Sequence, residues 1–217
     1  MDTTTRRAGT LIAAAFIITI ISQIFYMATL GGPQASDPEV GVTNADVVAY
    51  FTDRWADVAT VWTIELAAFM VISVAALVLL VRTNFAPAAW AALSASGMLN
   101  AIQVGIGLSM FRPAALAGEA LEPLFMTVVG GAFVFYFLAK VLIGMAGIGL
   151  GLILFSGSSG TGKAVGALAI LIGAAAALLN IYAIPQGLAQ VFLAGASGTV
   201  AALTTGIAAW MLTRQES

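Results

Sequence analysis

The sequence has no cysteine and no histidine, and it has few charged residues. The lack of cysteine excludes disulfide bonds, thiolate metal sites and a cysteine nucleophile. The lack of histidine removes the commonest metal ligand, the commonest general base and the commonest haem ligand. We therefore expect no bound cofactor and no metal site.

Charged residues make up only 8% of the 217 residues, whereas 61% are hydrophobic. A soluble domain carries about 25% charged residues, because its surface must face water. A chain this poor in charge indicates a protein whose solvent is lipid. The formal net charge of -2 gives no basic surface of the kind that a nucleic-acid partner would need.

Six apolar runs are close to the length of about 20 residues that crosses a bilayer as a helix. Such runs are too long and unbroken for the strands of a membrane β-barrel, so helices remain. The sequence therefore predicts an all-α, single integral membrane domain over residues 1–217. The predicted transmembrane helices span residues 8–30, 57–81, 86–111, 126–155, 164–183 and 187–212.

Lysine and arginine lie mostly on one side of this six-helix arrangement. Because cytoplasmic loops are rich in these residues, that side is predicted to be cytoplasmic, with both termini inside. The expected location is the bacterial cytoplasmic membrane. The other side holds Arg54, Arg112 and most of the acidic residues, and the predicted inner side holds Arg6, Arg7, Arg82, Lys163 and Arg214.

The first external loop, residues 31–56, is the one long connection between the predicted helices. From Asn44, a plausible helix cap, the apolar residues Val47, Val48, Phe51 and Trp55 repeat at helical spacing. This pattern predicts a short amphipathic helix along the outer membrane interface. A simple turn leading into the second helix is the alternative.

Residues Gly157 to Lys163 fit the first seven positions of a phosphate-binding Walker A loop. The eighth position is Ala164, where a Ser or Thr should bind Mg²⁺, and the segment joins two membrane helices. We interpret it as a flexible turn with a lysine.

The segment Gly195-Ala196-Ser197-Gly198 matches the Gly-x-Ser-Gly of rhomboid intramembrane proteases. Rhomboids use a histidine as the base, which this chain lacks, although a pair of Ser197 with Lys140 is conceivable. Close packing of small residues between helices is the favoured interpretation. It also covers Gly144, Gly147 and Gly151.

Glu65 and Lys140 are charged residues inside predicted membrane spans. A charge there costs at least about 2.5 kcal/mol and is a candidate for function. Their predicted depths allow them to pair. A buried pair that only fixes helix register is the structural alternative.

The other polar residues of the spans are predicted to lie near or above the midplane, on the external side. Because an unpaired amide in hydrocarbon is costly, they should converge on one another or on water. This asymmetry predicts a polar cavity, open outward and sealed inward by small residues. Its expected lining, besides Glu65 and Lys140, is Gln23, Tyr26, Asn100, Gln103, Asn180 and Gln190.

An ordered set of weaker features extends over nearly the whole chain. They are the start Arg6-Arg7-Ala8-Gly9, the stretch Thr63-Ile64-Glu65-Leu66, the glycines from Gly144 to Gly151, and Ile184-Pro185 followed by Gln186 and Gln190. Together they resemble a family of bacterial membrane proteins, domain of unknown function 4386. The resemblance implies a six- or seven-helix integral membrane protein and supplies no activity or site residues.

These patterns lead to a hypothesis of a non-enzymatic membrane protein that binds or transports a small molecule or a lipid through the predicted cavity. The alternative is an accessory or assembly subunit of a larger membrane complex, with no ligand of its own. A hydrolase that uses Ser197 and Lys140 is a third hypothesis. Membrane lipids are expected partners, and a homo-oligomer or larger complex is compatible with the sequence.

Overall fold

The computed structural model describes residues 2–118 and 122–215, with the backbone alone for Glu122. These residues form helices, turns and loops, with no strand among them, which confirms the all-α class. The α-helices of the described ranges are α1 (Thr3–Phe25), α2 (Asn44–Asp53), α3 (Trp55–Arg82), α4 (Pro87–Ile106), α5 (Arg112–Ala115), α6 (Glu122–Gly157), α7 (Gly160–Gln186) and α8 (Val191–Leu212).

Five helical stretches of the described chain are long and apolar enough to cross a membrane, and they indicate a membrane protein. The fifth stretch has 53 residues, because a 3₁₀ turn joins α7 directly to α8. At 1.5 Å per residue, 53 residues in line would far exceed the roughly 30 Å of a hydrocarbon core. The five stretches are Thr3–Leu30, Trp55–Arg82, Pro87–Ala115, Pro123–Gly157 and Gly160–Leu212.

The break between α7 and α8 lies at Gly187, so α7 extends to Gln186, beyond the predicted end at residue 183. Pro185 is inside the final turn of α7, where its missing N–H removes one hydrogen bond without ending the helix. Gly187 has φ 60° and ψ -142°, a conformation that only glycine adopts readily. The last helix therefore begins at Val191 rather than at the predicted residue 187.

Five of the long helices form a closed ring. In this ring α1 packs between α3 and α8, α4 packs between α3 and α6, and α6 closes the ring by contacting α8. The remaining long helix, α7, lies outside the ring against α6 and α8. The helix α6 therefore contacts three long neighbours, and its side chains are well placed to meet those of other helices.

One end of the ring, which we call the basic end, holds Arg82, Lys163 and Arg214, and close glycine contacts join α6 to α7 near it. The backbone of Gly144 on α6 meets that of Gly173 on α7, and Gly151 lies against the Gly166 carbonyl. Added Cβ atoms at these glycines would clash with backbone. The interpretation of this glycine stretch as a close-packing surface is thus confirmed.

The opposite end, which we call the aromatic end, is covered by α2. Tyr50 and Phe51 of α2 are buried against the ends of the long helices. Phe51 packs on Phe111 and Phe125 with ring centroids 6.4 and 5.9 Å apart. The predicted amphipathic helix is confirmed, and it packs its apolar face onto the bundle.

The cap of α2 is Thr43, not the predicted Asn44. The Thr43 hydroxyl accepts from the Asp46 backbone N–H at 3.3 Å, and the Asp46 carboxylate accepts from the Thr43 backbone N–H at 2.8 Å. This reciprocal capping box satisfies two N–H groups at once, which a lone Asn44 would not.

Two long helices widen at the aromatic end. A π-helical turn at Tyr26–Leu30 continues α1, and another at Gly107–Phe111 continues α4. Gly107 leaves room for the Trp62 ring, since a Cβ there would lie 2.8 Å from a ring carbon. Such turns are rare and are frequent at functional sites.

Candidate functional site

Glu65 of α3 and Lys140 of α6 are both buried, with 7% and 2% of their surfaces exposed. Among the residues that the structure describes, no salt bridge of 4.0 Å or less joins them. Their charges are nevertheless close enough to interact electrostatically. The structure therefore brings the two charged residues into one region of the bundle without direct contact.

The Lys140 side chain is held by its own helix and by α8. Its ammonium lies 4.9 Å from the ring centroid of Tyr136, one helical turn earlier on α6. Gly198 of α8 makes room for the methylene stem, because a Cβ at that position would be 2.6 Å from Cδ of Lys140. In the same way, a Cβ at Gly195 would be 2.7 Å from the Tyr136 hydroxyl.

The Gly-x-Ser-Gly segment is therefore a surface that accommodates Tyr136 and Lys140. Its Ser197 hydroxyl donates to the Ala194 carbonyl at 2.7 Å, and the Asn180 amide lies 3.3 Å from it. No hydrogen bond between Ser197 and Lys140 occurs in the described ranges, 2–118 and 122–215. The contact that a Ser–Lys hydrolase would require is not formed in this structure.

Glu65 lies beside α1. The Ser22 hydroxyl is near the Glu65 carboxylate, although no well-formed hydrogen bond joins them. Toward the aromatic end, Tyr26 stacks on Trp62 with ring centroids 6.0 Å apart. Tyr26 is one turn from Ser22, and Trp62 is three residues before Glu65, so these two rings lie on the aromatic-end side of Glu65.

Contacts between helices place most of the predicted polar residues at one level of the bundle. On α4, Gly97 backs onto Phe69 and Gly107 onto Trp62, so the stretch of α4 between these glycines lies at the level of Glu65. Asn100 and Gln103 lie in that interval.

The remaining helices reach the same level. Gln23 of α1 accepts from the Thr199 hydroxyl of α8 at 3.0 Å. Asn180 of α7 donates to the Ala194 carbonyl of α8 at 3.1 Å. We call the resulting set the polar layer: Ser22, Gln23, Glu65, Asn100, Gln103, Tyr136, Lys140, Asn180, Ser197 and Thr199.

The polar layer contains hydrogen-bonding atoms without partners. Within the described part of the chain, four enclosed side-chain atoms have none, and the Ser22 hydroxyl, Asn100 Oδ1 and Asn180 Oδ1 are three of them. The fourth, Nε1 of Trp90, belongs to the start of α4, far from the layer. A buried polar atom without a partner costs about 1–3 kcal/mol, so this concentration at one level calls for water or a ligand.

The two charged groups are also without hydrogen bonds to any described residue, yet they are not among the fully enclosed atoms. Both the Glu65 carboxylate and the Lys140 ammonium therefore keep a small surface that a water-sized molecule can touch. A layer with accessible charged groups and enclosed, unpartnered amide oxygens has the means to bind a polar molecule.

Two of the predicted lining residues lie at the edge of the layer or outside it. Tyr26 belongs to the aromatic end, where its hydroxyl is 2.9 Å from that of Tyr50. Gln190 lies in the turn between α7 and α8 and is only partly buried. Both were assigned to the cavity from their depth along the chain, which does not specify the direction in which a side chain points.

Three members of the layer were not singled out by the sequence patterns: Ser22, Tyr136 and Thr199. Tyr136 lies four residues before Lys140, and this helical spacing was an available signal. Ser22 adjoins Gln23, and Thr199 follows the Gly-x-Ser-Gly segment directly. Isolated serines and threonines in a membrane helix usually bond to their own backbone, so their sequence signal is weak.

Two clefts at the ends of the bundle do not reach the layer. A cleft of about 280 Å³ opens at the aromatic end, and a second, described below, lies at the basic end. Neither is lined by Glu65 or Lys140. No group of three or more Asp or Glu residues that could hold a metal ion occurs within residues 2–118 and 122–215. The outward opening stays a prediction.

Comparison with known proteins returns no relative: no family model, no curated protein and no solved structure matches the chain. Membership of the family domain of unknown function 4386 stays a prediction, which rests on the residues named in the sequence analysis.

Proposed function

We propose that the polar layer is the binding site of a membrane protein that binds or transports a small molecule or a lipid head group. This proposal rests on one observation: Glu65, Lys140 and the unpartnered amide oxygens lie at the same level of the bundle. A purely structural network would be expected to satisfy its own members. Here the carboxylate, the ammonium and two amide oxygens are left for another molecule.

The ligand that best fits this set carries both a cationic and an anionic group. Glu65 and the Asn100 and Asn180 oxygens are acceptors, and they favour a ligand that donates. The Lys140 ammonium is a donor, and it favours a carboxylate or a phosphate. A zwitterionic small molecule, or a zwitterionic lipid head group, satisfies both sides of the layer.

The proposed topology has six membrane crossings, with the basic end in the cytoplasm of a bacterial cell. Support comes from the conformational break at Gly187, which separates α7 from α8, and from the lysines and arginines of the basic end. The natural absence of cysteine allows a direct test with single cysteines. We expect Ser36→Cys to react with an impermeant maleimide on whole cells and Ser159→Cys to react only after lysis. The reverse pattern would overturn the orientation.

In the proposed mechanism, the ligand enters from the aromatic end, so α2 must move. Few polar contacts hold α2 in place. Tyr50 meets Tyr26 at 2.9 Å, and the Arg112 guanidinium donates to the Phe51 carbonyl at 3.2 Å. Arg54, directly after α2, donates to the Thr29 carbonyl at 3.1 Å. Most of the remaining attachment is apolar packing, which tolerates sliding better than close-packed glycine contacts do.

The alternative function is that of an accessory subunit whose polar residues only join its own helices. The stacked Tyr26 and Trp62 rings on the aromatic-end side of Glu65, and the absence of Glu65 and Lys140 from both clefts, favour this alternative. It requires the polar layer to be dry.

Accessibility of single cysteines separates the two functions, because only a hydrated thiol ionises and reacts with a methanethiosulfonate. Ser22→Cys and Ser197→Cys place thiols in the layer. Ala76→Cys and Ala146→Cys are matched controls, since both alanines are fully buried in helices of the ring. We expect a small cationic methanethiosulfonate to modify the first two at least tenfold faster than the controls. Equal, negligible rates at all four positions would support the accessory subunit instead.

A further inference from the structure

We infer that the basic end carries a binding groove for the phosphate group of an anionic phospholipid, between the start of α1 and the end of α8. The groove has a volume of about 350 Å³. It is independent of the polar layer and rests only on the chain being in a membrane. Its lining residues are Thr3, Arg6, Arg7, Thr10, Leu11 and Arg214.

The packing of α1 against α8 creates this groove. Gly9 of α1 has no side chain, and a Cβ there would clash with the Thr213 side chain of α8. The missing side chain of Gly9 therefore lets the start of α1 come close to the end of α8. Arg6, on α1, and Arg214, the second residue after α8, project beside this contact and form opposite walls.

The wall that α1 contributes to the groove consists of two adjacent rows of side chains at helical spacing. Thr3, Arg7 and Leu11 repeat every four residues, and Arg6 and Thr10 do the same beside them. The Thr10 hydroxyl donates to the Arg6 carbonyl at 2.9 Å. On the α8 side, the Arg214 guanidinium lies 4.6 Å from the Trp210 ring centroid, which holds it at the membrane surface.

The charges of the groove suit a phosphate. Guanidinium groups present planar pairs of N–H donors that match phosphate oxygens. In the described chain, no carboxylate lies within 4.0 Å of Arg6, Arg7 or Arg214, whereas Asp2 pairs with Arg82 on the α3 side at 3.7 Å.

The shape of the groove favours a lipid over a free phosphate. Leu11 is 52% exposed and lies one turn, about 6 Å, deeper along α1 than Arg7. The groove therefore runs from cationic side chains at the helix ends to an apolar wall at the depth of acyl chains. A phospholipid has both parts in this order, and inorganic phosphate has only the first.

Trp210 provides the readout, because it is 38% exposed next to Arg214. In nanodiscs, brominated phosphatidylglycerol and brominated phosphatidylcholine quench Trp210, and Trp210→Phe supplies the background from the other three tryptophans. The wild-type chain is expected to prefer phosphatidylglycerol. The variant R6Q/R7Q/R214Q should lose about tenfold or more of this preference, since each basic residue near a charged membrane contributes about fivefold.

Two control variants make the result specific. R82Q/K163Q removes two charges from the same end but none from the groove, and it should keep the wild-type preference. R6K/R7K/R214K keeps the charges but loses the paired donors, and it should show an intermediate preference.

Three results would overturn the inference. One is an unchanged preference in R6Q/R7Q/R214Q, checked for an unaltered melting temperature. Another is an equal loss in R82Q/K163Q, which would show general surface charge alone. The third is displacement of phosphatidylglycerol by millimolar inorganic phosphate, which would show a free-anion site.

Discussion

The basic half and the aromatic half of the bundle, each named after the end that it contains, differ in how their long helices meet, although the basic half also holds the aromatic pair Phe85 and Trp90. In the basic half, α6 and α7 meet through glycine backbones, as at Gly144 and Gly173. In the aromatic half, rings such as Trp62 and Phe111, 5.6 Å apart, fill wider spaces. The polar layer lies where one kind of packing gives way to the other.

The difference is important because lipid, unlike water, provides no hydrophobic driving force that brings helices together. Because hydrocarbon tails are as apolar as leucine, helices in a membrane associate through close contact rather than through exclusion of water. Glycine contacts give that closeness and leave few alternative arrangements. Rings at the aromatic end, together with the π-helical turns of α1 and α4, leave more alternatives. We therefore expect the basic half to be the rigid part and the aromatic half to be the part that moves.

The largest effect is expected from breaking the basic half. In Gly151→Leu, the new Cβ would lie 2.7 Å from the Gly166 carbonyl oxygen, and backbone cannot move aside cheaply. We expect a loss of about 3 kcal/mol in the free energy of unfolding. Equilibrium unfolding in mixed detergent measures it.

The matched control lies on the same helix. Gly131→Leu meets nothing within 4 Å, so its effect should stay within about 0.5 kcal/mol. Equal losses in the two variants would mean that the close glycine contacts are not what makes the basic half rigid.

The next largest effect is expected at the polar layer, which lies between the two halves. Lys140→Met leaves the buried Glu65 without a nearby positive charge and should cost about 2 kcal/mol, less than the 3–5 kcal/mol of a directly contacting pair. The double variant Glu65→Gln with Lys140→Met should recover at least half of that loss in the same unfolding measurement. If the double variant is no more stable than Lys140→Met, the two residues are not coupled.

A smaller effect concerns the aromatic half. Tyr26→Phe removes the hydroxyl contact with Tyr50 and should weaken the attachment of α2 by about 1 kcal/mol. Hydrogen exchange of α2 amides should rise about fivefold, while the global melting temperature changes little. The control Tyr182→Phe alters an exposed hydroxyl on α7 and should leave α2 exchange unchanged. A fall in melting temperature without faster α2 exchange would contradict separate behaviour of the two halves.

The smallest effect is a pH dependence of the stability of α2. The Thr43 backbone N–H, followed by the Thr43 hydroxyl, donates to the Asp46 carboxylate and lowers its pKa from 3.8 to about 2. Since the folded pKa is depressed, the stabilising contribution is complete above the unfolded value and is lost as the pH falls through about 2.

Cleavage by pepsin measures this contribution, because pepsin is active in that pH range. We expect cleavage in residues 31–43 to increase as the pH falls from about 4 to about 2. In Asp46→Asn the cleavage should already be high at a pH of about 4, so the ratio of the wild-type rate to the variant rate, which cancels the pH dependence of pepsin itself, should rise as the pH falls. A ratio that does not change with pH would show that the cap does not hold α2.

The helices were largely predictable because each depends on a local property. The predicted span 57–81 became Trp55–Arg82, and 126–155 became Glu122–Gly157. The ends moved outward because hydropathy marks the part of a helix that suits lipid, whereas the backbone hydrogen bonds of the helix continue beyond it. The boundary at residue 187 was wrong because hydropathy does not register the backbone conformation of one glycine.

The site was predictable only in part. Glu65 and Lys140 stand out in any membrane span, because a charge in hydrocarbon is costly wherever it lies. Tyr26 was placed with them by depth, yet it belongs to the aromatic end. Depth along a helix can be counted from the chain, but the direction of a side chain depends on the neighbours that surround it.

By itself, the amino-acid sequence determined the all-helical class, the apolar spans and the two charged residues within them, since these follow from the free energy of transfer between water and hydrocarbon. Only the tertiary structure decided that α7 lies outside the ring, that Gly198 accommodates Lys140, and that the unpartnered amide oxygens share one level with Glu65. Those facts depend on the register between helices distant in the chain, and that register is set by contacts between surfaces rather than by any property of a single segment.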